Sequence, residues 1–216
     1  MTEKLYQAQY NITKKSKWRE FYESNKILII SSILILIIFF GALTIYLENK
    51  KNKRILLSED YIQAKLYIER GNENEAKNIL KGLVLANDPT YSTLSLFLIL
   101  NQNLFADQKE LSALFEHVLA NNKFEKEVKN LLIYKKALFD SNFVNESELL
   151  ESLKSLINTE SFWKPHALLI LGDYFVAKGE YLKAKEFYIQ IFTIKNLQKD
   201  LYNQTKSRLK IITNDL

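Results

Sequence analysis

His117 and His166 are the only imidazoles in 216 residues, and no cysteine accompanies them. Metal centres draw on clustered ligands, in spacings such as H-E-x-x-H or paired cysteines, and neither spacing occurs here. His117 stands in Leu114-Phe115-Glu116-His117-Val118 and reads as a helix-surface residue, while His166 follows Pro165 in the first turn of a helix. Glu146, Glu148 and Glu151 form a carboxylate group of the kind that could do acid–base work. Their place at a helix start, where the positive end of the dipole favours acids, accounts for them without any chemistry. Five glycines leave no phosphate-cradling loop and no G-x-S-x-G elbow. The residues therefore point to a protein that is not an enzyme and that holds neither metal nor cofactor.

The chemistry that remains is recognition by aromatic rings. Phe97, Phe115, Phe124, Phe139, Phe143, Trp163, Phe175 and Phe187 fall at helical core spacing and are expected to pack inside. Tyr61, Tyr174 and Tyr181 are instead candidates for a groove between stacked helices, where an amphipathic ring can hold a peptide by shape and apolar contact.

Stepping outward from these residues, the dominant stretch is Ile27 to Leu47, ILIISSILILIIFFGALTIYL, which carries no charge. As a helix rising about 1.5 Å per residue it extends roughly 31 Å, the thickness of a bilayer's hydrocarbon core. Apolar on every side, it has no face to offer water. A cleaved leader has an apolar run of only about 7–15 residues and a small-residue cleavage site. Here the run is longer and gives way to Glu48-Asn49-Lys50-Lys51, so an uncleaved signal anchor is expected. With no cysteine, a lipid-anchored lipoprotein is excluded and no disulfide can form. Ser31, Ser32 and Gly41 do not form a G-x-x-x-G packing motif.

Charge orders the chain around this span. Residues 1–26 form a basic leader and residues 48–54 a charged neck, and together with the span they carry a net +6, whereas residues 55–216 carry −1. The basicity is juxtamembrane and suited to anionic lipid headgroups. A nucleic-acid binder would need its basic face on the folded domain, so no nucleic-acid partner is expected. Lys14, Lys15, Lys17, Arg19 and Lys26 precede the span and Lys50, Lys51, Lys53 and Arg54 follow it, a slim margin for an amino terminus in the cytoplasm. Trp18, Phe21, Tyr22 and Lys26 suit a short amphipathic helix entering the interface, and the first dozen residues are expected to be disordered.

The remainder, residues 55–216, is all-α by pattern: glycine and proline are rare, and apolar residues recur at three and four. Helices are predicted at 55–70, 73–86, 90–101, 107–120, 124–140, 146–157, 163–178, 181–194 and 197–212, with Asp88, Asp107, Asn145 and Ser161 as caps or pre-cap turns. Two hairpins align on Gly71 and Gly179, which are 108 residues apart. Small residues coincide at Ala64/Gly172 and Ala76/Ala184, rings at Tyr67/Phe175, and apolar side chains at Leu80/Tyr188 and Leu83/Ile191. This is the tetratricopeptide pattern, with small residues where helices touch and a glycine at the tight turn. Segments 90–120 and 124–157 fill the interval as two hairpins without the glycine, and the last helix caps the stack. The expected architecture is one transmembrane helix followed by a tetratricopeptide-like α-solenoid of about four hairpins and a terminal capping helix.

This arrangement, and most specifically the run LGDYFVAKGEYLKAKEFY ending at Tyr188, resembles the ancillary SecYEG translocon subunit family of bacterial inner membranes. The resemblance implies anchoring with the amino terminus in the cytoplasm and the repeat domain in the periplasm. It also implies association with the Sec channel and a membrane-anchored periplasmic chaperone, and assistance to exported proteins as they emerge. It brings no catalytic residues. A generic envelope adaptor of the same fold, acting in envelope assembly or cell division, is the alternative; an enzyme or transporter component lacks residues to carry it.

Overall fold

The computed structural model describes residues 17–214, all of whose regular structure is helical. The order is α1 (Lys17–Glu69), α2 (Glu73–Val84), α3 (Pro89–Asn101), α4 (Gln108–Asn121), α5 (Lys126–Asp140), α6 (Glu146–Ile157), α7 (Lys164–Ala177), α8 (Tyr181–Phe192) and α9 (Lys199–Asn214). The chain divides into two compact units, Met1–Leu56 and Leu57–Leu216. The expectation of disorder in the first dozen residues lies outside the described residues.

Within the first unit, α1 holds an apolar window with a mean hydropathy of 2.9, of which 0% is buried by the rest of the chain. Among the described residues it is the one helix long and apolar enough to cross a membrane. A core helix of a water-soluble fold would be covered, whereas here Ile27 is 83% exposed and both Phe39 and Phe40 are 59% exposed. The hydroxyls in the stretch are turned on their own helix: Ser31 Oγ donates to the Leu28 carbonyl at 2.9 Å and Thr44 Oγ1 to that of Gly41 at 2.8 Å. Each proton is therefore already bonded, which lowers the cost of placing the hydroxyl in an apolar medium. The sequence reading of a separate neck before a new helix at Ile55 is corrected: residues 48–54 are helical and continuous with both sides. Glu48-Asn49-Lys50-Lys51-Asn52-Lys53-Arg54 contains no proline or glycine and is rich in straight-chain helix formers, so nothing breaks the ladder.

The second unit is a row of helices joined by links of three to six residues. Among α2–α9, every pair in substantial contact is adjacent in the chain or next but one (α2 with α4, α5 with α7, α7 with α9). The caps that hold the ends were legible: Asp88 accepts from the Thr90 and Tyr91 amides, both at 3.0 Å, Asp107 from that of Lys109, and Asn145 forms a reciprocal box with Glu148. Ser161 lends its carbonyl to the Lys164 amide in the turn before α7.

Three of the hairpin turns share one geometry. The Gly71 amide donates to the Ile68 carbonyl at 3.0 Å and the Asn72 amide to that of Tyr67 at 2.9 Å. Gly179 and Glu180 repeat this on Val176 and Phe175, and Asn103 and Leu104 on Leu100 and Ile99. The pivot residue is left-handed each time, with φ of 77° at Gly71, 76° at Gly179 and 51° at Asn103. This crossed pair of bonds closes the carbonyls at a helix end, and asparagine is the residue that most readily stands in for glycine there. The α3–α4 hairpin thus lacks the glycine while keeping the turn.

Two apolar clusters fill the unit. One gathers Leu57, Ala64, Leu80, Leu83, Val84, Leu96, Ile99 and Phe115. The other gathers Leu149, Leu153, Leu156, Ala167, Leu171, Phe175, Ala184, Tyr188 and Ile191. Helix α5 serves both: Leu132 and Phe139, seven apart, face the first, while Ile133, Tyr134 and Ala137 face the second. Of the rings expected inside, Phe115 and Phe175 are fully buried, and Phe97, Phe124, Phe139, Trp163 and Phe187 pack at the cluster margins. Phe143 differs: it is 37% exposed and lies edge-on to Phe139, because it falls in the turn after α5 and not on a helix.

Ala64, Ala76 and Ala184 are fully buried, as is Gly172 within α7. A methyl group at Gly172 would lie 2.6 Å from Cδ1 and 2.9 Å from Cζ of Tyr188, and closer still to Cε1. The first hairpin has Ala64 and Leu80 at the corresponding places, a larger residue against a shorter one. Gly172→Ala is expected to cost about 1–3 kcal/mol by overpacking, and Gly179→Ala about 1–2 kcal/mol through its left-handed backbone. Urea unfolding of the full chain in detergent measures both. Gly172→Ala combined with Tyr188→Leu should be more stable than the sum of the two single changes; strict additivity would mean that the ring does not require the glycine.

Candidate binding surface

The three tyrosines are not gathered into one surface. Tyr61, on the last turns of α1, is half-buried in the first cluster, with its ring 6.3 Å from that of Tyr91. Burial raises its hydroxyl pKa above the ordinary tyrosine value. Tyr174 is only 7% exposed; its hydroxyl donates to the Val144 carbonyl at 3.3 Å and its ring packs edge-on against Phe175. It is a core residue tying α7 to the α5–α6 turn, which corrects the expectation that it lines an open groove. Tyr181, in the first turn of α8, packs at the edge of the second cluster and keeps part of its ring accessible. Beside it Leu182 is 69% exposed, the largest exposure of any apolar side chain on α8.

Around Tyr181 the polar side chains form a small ionic lattice. Lys183 Nζ lies 2.8 Å from Glu180, 3.1 Å from Glu146 on α6, and 4.9 Å from the centre of the Phe175 ring. Its pKa is raised, first by the bond to Glu180 and then by that to Glu146. Glu146, read as one of a group of helix-start acids, therefore also serves to link α6 to α8. Among the described residues no group of three or more His, Cys, Asp or Glu could hold a metal ion.

Sequence reasoning missed a further polar cluster. Asp173 stands on α7 within an otherwise apolar run, and its Oδ1 accepts from Tyr188 Oη at 2.7 Å and from Arg208 Nε on α9 at 2.6 Å. Burial first, and then the bond to Asp173, drives the Tyr188 pKa far upward. One carboxylate thus joins three consecutive helices, and an acid inside Leu171-Gly172-Asp173-Tyr174-Phe175 was the signal that could have revealed it.

His166 also has more company than its sequence context suggested. Its ring centre lies 5.3 Å from Phe162, 5.5 Å from Trp163 and 5.8 Å from Tyr134. His117, within α4, reaches one turn: Nε2 is 2.9 Å from Asn87 Oδ1, in the link between α2 and α3. No family model matches the chain, and neither a curated protein nor a solved structure matches it.

Burial holds the His166 pKa below the ordinary histidine range, while the bond with the Phe162 carbonyl opposes the shift. The unfolded chain therefore takes up this proton more readily than the folded one. The neutral ring's contribution is complete above about pH 6.5 and is lost as pH falls through the lower folded value. Unfolding midpoints should decline as pH falls below about 6.5, and His166→Phe should flatten part of that decline. An unchanged pH profile in the variant would contradict this reading.

Proposed function

We propose that the chain is a membrane-tethered protein-binding scaffold on the periplasmic side of a bacterial inner membrane. In this reading it assists the Sec translocon and a membrane-anchored periplasmic chaperone with exported proteins. The observation that carries it is the pairing of a fully uncovered apolar helix with a row of short helical hairpins that contact only near neighbours. The hairpins are read as a tetratricopeptide-like solenoid with α9 as its terminal cap. Quasi-linear packing and the recurrent left-handed turn support that reading. Such domains bind; they present side chains along a row and need no catalytic centre. Tethering supports the rest of the proposal, since a site held close to its partner meets it at an effective concentration of about millimolar. Weak, general contacts with emerging chains are then sufficient.

The test is a photo-crosslinking residue in place of Leu182, on the exposed face beside Tyr181, in cells followed by mild-detergent purification from native membranes. Crosslinks to Sec channel subunits and to a periplasmic chaperone are expected. Recovery of other envelope proteins with no Sec subunit would replace this reading with that of a generic adaptor in envelope assembly or cell division. Crosslinks confined to cytoplasmic proteins would overturn the topology as well.

A further inference from the structure

A cleft of about 620 Å³ opens between α4, α5 and α6, within the size range of ligand sites. Its apolar wall is Leu119, Ile133 and Val144. Its ionisable lining is Glu116, Asp140, Glu148 and Glu151 against the single cation Lys136, a balance of −3 in a unit whose sequence from 55 onward is nearly neutral.

Asp140 is the unusual member. It is the last residue of α5, where the negative end of the helix dipole disfavours an acid, and it is only 3% exposed. Oδ2 accepts from Lys136 Nζ at 2.6 Å and, more distantly, from Ser112 Oγ at 3.4 Å. Oδ1 is buried with no hydrogen-bond partner. Lys136 is moreover shared, with Glu116 3.4 Å away. On the rim, Glu148 is engaged in the Asn145 capping box and Glu151 pairs with Lys154 at 3.0 Å. One lysine is thus shared between an exposed acid, Glu116, and the buried Asp140, and it is the buried carboxylate that requires full compensation. The cleft is short of cationic donors while offering apolar surface beside its acids.

We propose that this cleft binds an arginine side chain from a segment of another polypeptide. The guanidinium is the cation whose planar set of five donors can engage several carboxylates at once, and it is more weakly hydrated than an ammonium. Its methylene stem has Leu119, Ile133 and Val144 to lie against. The inference rests on the protein-binding reading above and names the chemistry such a partner presents.

The experiment uses the full chain in detergent micelles and a fluorescent peptide bearing one arginine among leucine, valine and alanine, followed by fluorescence anisotropy. A second peptide carries glutamine at that position. Hydrogen bonds to charged groups are roughly twice as strong as neutral ones, so the arginine peptide should bind at least about tenfold more tightly than the glutamine peptide. The variant Glu116→Gln/Glu148→Gln/Glu151→Gln should lose that preference while retaining its unfolding midpoint, because glutamine preserves the capping box. Asp140→Asn should also weaken the arginine peptide and leave the glutamine peptide unaffected. Equal binding of the two peptides, binding of neither, or an unaltered preference in the triple variant would each overturn the proposal. Leu182 crosslinking in the chain with its native acids separates the two levels of failure: Sec crosslinks from a chain that shows no arginine preference leave the scaffold standing and remove only this cleft.

Discussion

Twenty-one consecutive residues without a charge, none of them buried, are the constraint on which the remainder of this protein depends. Exposed apolar surface of this extent costs about 25 cal/mol for every Å² left in water. The residues within the stretch accept the alternative medium, since Ser31 and Thr44 donate to carbonyls of their own helix. The basic residues on either flank suit headgroups. In the proposed function, anchoring through this stretch would confine the search for partners to a surface, and the second unit could then be built for breadth of contact more than for strength.

That second unit obtains its order locally. Each helix packs on its neighbours, and the turns are closed by crossed backbone bonds around a left-handed residue. Cohesion within the last hairpin comes from pairs such as Gly172 and Tyr188, where the absence of one side chain makes room for another. The Asp173 carboxylate then links α7, α8 and α9 through Tyr188 and Arg208. Because α5 turns one face to each apolar cluster, the two clusters are fused through a single helix.

Much of this was legible in the residues. The helix limits followed from apolar spacing, the caps from Asp88, Asp107 and Asn145, and two turns from Gly71 and Gly179. The helical continuity of residues 48–54 was not, because a run of charges marks a change in composition while lysine and arginine remain good helix formers. Nor was the Asn103 turn, since asparagine serves equally in caps and loops and becomes diagnostic only when its φ is known. The binding surface was the least legible part. Tyr174 shares its residue type and helical setting with an accessible ring, and only three-dimensional packing reveals that its hydroxyl is committed to Val144. Asp140 likewise reads as an ordinary helix-end acid until its burial is seen.

The central claim is a helix that crosses the membrane and holds the hairpins on its outer side. The native chain has no cysteine, so any introduced thiol is unique. Ser24→Cys precedes the apolar stretch and Ser207→Cys lies on α9. The decisive measurement is their labelling in intact cells with a membrane-impermeant maleimide, before and after lysis. A tethered outer domain predicts Ser207→Cys labelled in intact cells and Ser24→Cys labelled only after lysis. Labelling of Ser24→Cys alone in intact cells, or recovery of the Ser207→Cys chain in the soluble fraction without its apolar helix, would contradict it.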